Sequence, residues 1–183
     1  MSMRLAGVLC TVLATGVAAY AAAADSHLIA MQNSLLHATD ASHAALIADS
    51  LEAARQAALS PTTRLMLHRG QRELAAGELR AALDDLNDAV ELQPDQALLW
   101  RERAAVKVLQ GDQDGAIQDL GGALSRDPDD ILSWSSLSII EEHHADGAPA
   151  YAAWEHVLRL DPMIGGGASR LEHLRHQMLG DPT

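Results

Sequence analysis

The chain has 183 residues, 48% of them apolar, 21% charged and 3% aromatic, with no phenylalanine. That length and apolar content suit one domain with a buried core and exclude a disordered or collagen-like polymer. Thirteen Lys and Arg against 25 Asp and Glu give a formal charge of −12, which argues against general nucleic-acid binding, and the single Cys10 excludes an internal disulfide or a multi-thiolate metal site.

The first segment, residues 1–24, reads as a secretory signal. Arg4 gives a positive start, Leu5 to Ala24 run 20 residues without a charge, and Ala22 and Ala24 stand just ahead of Asp25. A basic start, an apolar run and a small-x-small end predict cleavage before Asp25. The alternative is a retained membrane anchor, because 20 helical residues extend about 30 Å. Against it, the run is rich in Ala, Gly and Thr and has no basic flank after it. Cleavage also removes Cys10, which suits an oxidising compartment.

Residues 25–60 read as a helical pair joined near Thr39-Asp40. Leu28, Met31 and Leu35 mark one apolar face; Ala44, Ile47, Leu51 and Ala54 mark the other.

From residue 61 to 164 the chain repeats. Pro94, Pro128 and Pro162 are spaced by 34, as are Trp100 and Trp134, Asp85-Leu86 and Asp119-Leu120, and the column Ala82, Ala116, Ala150. Ala89 and Ala123 form a further column that Val157 continues, and Gly77 aligns with Gly111 and Ala145. Within a unit, Leu79, Leu83, Leu86 and Val90 follow helical spacing, repeated as Ile117, Leu120 and Leu124. Each unit breaks at Gly77-Glu78, Gly111-Asp112 or Asp146-Gly147, where a glycine ends one helix and Asp112 or Asp146 can cap the next. Each ends at its proline, which disfavours helix at the preceding residue and is tolerated at the next helix start. The unit is helix, turn, helix, turn.

These columns resemble the tetratricopeptide repeat, whose pattern is W-x2-L-G-x2-Y, A-x3-F, A, P. The first unit places Met66, Arg69, Gly70, Glu73, Ala82, Leu86, Ala89 and Pro94 in those slots. The second places Trp100, Arg103, Ala104, Lys107, Ala116, Leu120, Ala123 and Pro128, and the third Trp134, Leu137, Ser138, Glu141, Ala150, Trp154, Val157 and Pro162. The departures are polar residues in the tyrosine slot and Arg69 and Arg103 in the leucine slot. The resemblance implies an all-α solenoid of antiparallel helix pairs: three repeats over 61–164, the 25–60 pair as a degenerate repeat, and 165–183 as a capping helix. In that last segment Gly165-Gly166-Gly167 breaks the chain, and Ser169 with Glu172 forms an S-x-x-E box ahead of Leu171, Leu174 and Met178.

Chemistry finds little support in the sequence. The repeat columns make Trp100, Trp134 and Trp154 packing residues. Glu141-Glu142-His143-His144 lacks zinc-enzyme spacing, and adjacent helical residues point about 100° apart. His173 and His176 lie one turn apart but offer only two ligands. Asp112-Gln113-Asp114-Gly115 lacks the closing glutamate of a calcium loop. No G-x-S-x-G elbow occurs, and Ser133, Ser135, Ser136 and Ser138 suit helix packing. No catalytic residue, metal or cofactor is expected, and the chain is read as a non-enzyme.

What remains is a surface. The first helix of each repeat pair lines the concave side of such a solenoid. On this register the expected groove carries Arg64, Leu67 and Gln71, then Leu98, Arg101, Ala105 and Val108, then Leu132, Ser135, Ile139 and Glu142. Apolar rungs with Arg64 and Arg101 would suit a peptide or helix bearing acidic groups. The alternative is that some of these residues pack only against the flanking helical segments. One subclass of the family clamps C-terminal carboxylates with Lys and Asn; here the equivalent pairs are Leu67/Gln71, Arg101/Ala105 and Ser135/Ile139, so that clamp is absent. The resemblance implies a small exported bacterial protein, periplasmic or secreted, acting as an interaction module or assembly scaffold of the envelope. Its partner would be another protein rather than nucleic acid, with the membrane involved only if residues 5–24 are retained. The rival reading is a small envelope hydrolase or metal-handling protein using His143, His144, His173 and His176.

Overall fold

The computed structural model describes residues 26–143 and 147–179, so the expected signal at 1–24, and His144 and Asp146, lie outside the described residues. Regular structure among those residues is entirely helical. In chain order the helices are α1 (residues 26–36), α2 (Ala41–Ala57), α3 (Pro61–Ala75), α4 (Leu79–Leu92), α5 (Ala97–Leu109), α6 (Gln113–Arg126), α7 (Ile131–Glu141), α8 (Ala148–Leu160) and α9 (Gly167–Leu179). Within this set no helix is long and apolar enough to cross a membrane.

Local chemistry sets these boundaries. Asp40 caps α2 by accepting from the His43 amide at 2.9 Å, and Ser60 caps α3 with Pro61 in the first turn. Asp112 caps α6 through the Gly115 amide at 3.0 Å. Gly77 and Gly111 turn the chain with φ of +79° and +81°, a region open to glycine at little cost. In the third unit Gly147 is left-handed, with φ of +60°, just ahead of α8. The S-x-x-E box is not formed: α9 already begins at Gly167, and Glu172 pairs with Arg175 and His176 instead.

The pairs α3/α4, α5/α6 and α7/α8 pack intimately, and each second helix stacks on the next pair. The first helices α3, α5 and α7 also touch one another more closely than α4, α6 and α8 do. The side with the closer spacing is the inside of the curve, so α3, α5 and α7 line the concave face. Small residues permit this packing. Ala82, Ala116 and Ala150 are fully buried, and a Cβ on Gly70 would lie 3.1 Å from Leu86 Cγ. Trp100 and Trp134 both donate to the carbonyl of the proline that closes the preceding repeat, Pro94 at 2.9 Å and Pro128 at 2.8 Å. These indoles stitch repeat to repeat. Trp154 donates to Gly167 and, with Val157 and Leu174, seals the C-terminal end under α9.

The N-terminal pair differs from a simple extension of the stack. Leu35, Ala38, Ala44 and Leu51 form its own small core, joined by Ile131 from the start of α7. Thus α2 crosses the repeats instead of stacking on α3 as α4 stacks on α5.

Candidate functional site

Three of the eleven expected groove residues are buried and not open to a partner. Leu67 and Leu98, at 0% and 2% exposure, are buried in one cluster with Leu59 from the α2–α3 connection. Arg101 is 6% exposed, not a free cation. Its Nη1 donates to both oxygens of fully buried Asp130 at 2.7 Å, and its Nη2 donates to Glu52 of α2 at 2.6 Å. The correction has a physical cause: α2 crosses the inner face here and supplies the carboxylate that an external partner was expected to bring.

A second arginine completes the cluster. Arg55 of α2 donates to Asp127 at 2.9 Å and lies 3.7 Å from Asp130. The Ser133 hydroxyl donates to Asp130 at 2.6 Å. Burial alone would lower the Arg101 pKa, but the Asp130, Glu52 and Glu102 carboxylates outweigh it and raise the value. A buried guanidinium is tolerated because its donors are met by carboxylates on two sides.

Other expected residues are tied down more lightly. Gln71 donates to Glu102 at 3.1 Å, linking α3 to α5. Glu142 accepts from Arg170 of α9 at 2.8 Å and lies 3.5 Å from His173. Arg64 is half-buried with no ion-pair partner among the described residues. What stays open is apolar. Val108 is 37% exposed, Leu132 48% and Ile139 49%, beside exposed Ala105 and half-buried Ser135 on the adjacent helices α5 and α7. Leu109, at 62%, extends the row and was not among the expected residues.

Glu52, Arg55, Asp127 and Asp130 also escaped the sequence reading. The signal present was an acidic turn, Asp127-Pro128-Asp129-Asp130, and a Glu-x-x-Arg spacing on α2. Nothing local says that the two meet. Among the described residues no three His, Cys, Asp or Glu are grouped to hold a metal ion. His143 contacts its own helix at the Ile139 carbonyl, while His173 and His176 lie near glutamates.

No family model and no characterised protein sequence matches the chain. Solved structures do. The first TPR domain of Spaghetti, bound to an HSP90 peptide, superposes with a TM-score of 0.62 at 16% identity, covering 66% of this chain and 96% of that one. The fold is that of a tetratricopeptide-repeat domain. The TPR domain of Sgt2 from Aspergillus fumigatus gives 0.61 at 23% identity over 67% of this chain and 82% of its own. The TPR2B domain of yeast Sti1, in complex with pHsp70, gives 0.58 at 16% identity over 66% and 98%. At such identities the likeness establishes the TPR architecture, an all-α solenoid, and leaves function to the surface.

Proposed function

We propose that this TPR domain is a non-enzymatic interaction module that binds a peptide or helix of another protein on the open part of its concave face. The observation that carries the reading is the exposed apolar row on adjacent inner helices, Val108, Leu109, Leu132 and Ile139. Apolar side chains on neighbouring helices, with Leu132 and Ile139 two turns apart on α7, suit a partner that lays an apolar face against them. The HSP90-peptide complex of the structurally similar Spaghetti domain and the pHsp70 complex of the Sti1 domain support a partner of that kind. Arg64, half-buried on the first inner helix α3, supplies a further cation for that partner. Arg101 is committed within the fold and does not recruit acidic partners in this state.

The address belongs to the same proposal. An uncharged run over residues 5–24 before Asp25 supports export, placing the module in a bacterial periplasm or outside the cell, as a scaffold of envelope assemblies. A photo-crosslinking residue at position 139, in the full chain expressed in its native cell, tests the surface. Adducts are expected from position 139 and not from position 88 on the outer face. Equal labelling at both, or none at 139, overturns the assignment.

A further inference from the structure

The inner face is already occupied along its upstream half, and the occupant belongs to the same chain. The α1–α2 hairpin has an apolar core built mostly from its own residues, Leu35, Ala38, Ala44 and Leu51. Its grip on them is mainly ionic: Glu52 to Arg101, and Arg55 to Asp127 and Asp130. Apolar contact is thin by comparison, with Ile131 the repeat residue that joins the hairpin's core. Between the hairpin and the α4–α5 and α6–α7 turns lies an open cleft of about 1050 Å³. Close packing, the usual mark of a permanent interface, is missing there.

The attachment at the other end is firm. Leu59 is 3% exposed in the core of the first repeats, and the Ser60 amide donates to Gln93 at 2.7 Å. This anchorage puts the hinge of any hairpin movement just before Leu59. We propose that the α1–α2 hairpin is a releasable strap, with the Glu52–Arg101 and Arg55–Asp127 pairs as its catch. This rests on the concave face being the working surface. Closed, the strap covers Arg101 through Glu52; lifted, it opens the groove around Arg101 and presents its guanidinium with Asp130 still beside it. The partner selected by that opened half is a helix of the strap's own chemistry, carrying a carboxylate and a guanidinium one turn apart.

Hydrogen exchange on the full chain reads the strap without any partner, so it can fail independently of the crosslinking at position 139. In the wild type, α2 amides are expected to exchange at least ten-fold faster than those of α5 and α6, through an opening that leaves the repeats protected. Glu52→Gln with Arg55→Gln removes the catch charges from α2 without touching the repeats. It is expected to speed α2 exchange by a further ten-fold or more, with α4 and α6 unchanged. The proposal is overturned if α2 shares the protection of α5 and α6. It is equally overturned if the double variant speeds all helices alike or leaves α2 unaltered.

Discussion

Arg103 on α5 grips Asp119 on α6 with two parallel bonds, Nε to Oδ2 at 2.8 Å and Nη2 to Oδ1 at 2.6 Å. One repeat earlier Arg69 and Asp85 make the same fork, while Lys107 adds a second cation to Asp119 at 2.8 Å. One repeat later both partners are apolar: Leu137 stands where Arg103 would, and Ala153 where Asp119 would. The arginines in the leucine slot are thus half of a two-residue exchange within the repeat. Breaking a buried pair leaves a charge stranded, at a typical cost of about 3 kcal/mol, whereas replacing both partners by apolar groups is often neutral.

The first expected outcome follows from that pairing. Asp119→Ala strands Arg103 and Lys107 together and should cost about 3 kcal/mol by urea denaturation. Arg103→Leu should cost less, because Lys107 still neutralises Asp119. The double variant, which copies the third repeat, should be clearly more stable than Asp119→Ala alone. Additive losses would mean that the fork is not a coupled unit.

Ala116 tests the close approach of paired helices. It is fully buried in a cluster with Ala104, Leu120 and Ile140. Adding three carbons there must push α5 or α7 aside, at about 1–3 kcal/mol. Ala116→Leu should lower the melting temperature well below that of Asp88→Leu, since Asp88 is exposed on the outer helix α4. Equal melting of the two variants would contradict the packing described.

The legibility of the fold and of the surface differed for a physical reason. Repeat boundaries were written in local chemistry: a left-handed glycine at 77 and 111, a cap at Asp112, a proline ending each unit, and alanines spaced by 34. Those signals act within one unit and recur, so periodicity amplifies them. Exposure on the inner helices was legible only where the repeat alone decides it, as at Val108 and Ile139. Arg101 was misplaced because its partner Glu52 lies 49 residues upstream, in a hairpin outside the period. Asp85 and Asp119 formed a visible column, as did Arg69 and Arg103, but only the structure shows that the two columns touch.

His156 makes stability depend on pH. Its ring stacks on Trp134 with centroids 3.9 Å apart and planes 9° from parallel. Burial, then the nearby Arg159 charge, lowers its pKa from the ordinary value of 6.5, with Glu155 opposing. The unfolded chain therefore takes up a proton that the folded chain resists. Stability from this residue is full above about pH 6.5 and is lost as pH falls through the lower folded value. Denaturation from pH 8 to pH 5 should show the wild type losing more stability than His156→Phe, which keeps the stacking and cannot titrate. Parallel curves would place the titration elsewhere.

Arg101 decides between a cation that serves the fold and one that waits for a partner. Its guanidinium donates to both oxygens of Asp130, which is itself fully buried. Arg101→Met keeps most of the side-chain volume and removes the charge. Asp130 is then left to Ser133 at 2.6 Å and to Arg55 at 3.7 Å, and Glu52 loses its cation. The loss should be about 3 kcal/mol, the usual range for stripping one partner from a buried pair. Asp130→Asn in the Arg101→Met background removes the stranded charge while keeping the shape. It should recover a good part of the loss, which a groove cation with no structural role could not do. If Arg101→Met melts with the wild type, the guanidinium is free to leave the cluster, and its contacts with Glu52 and Asp130 carry no stability.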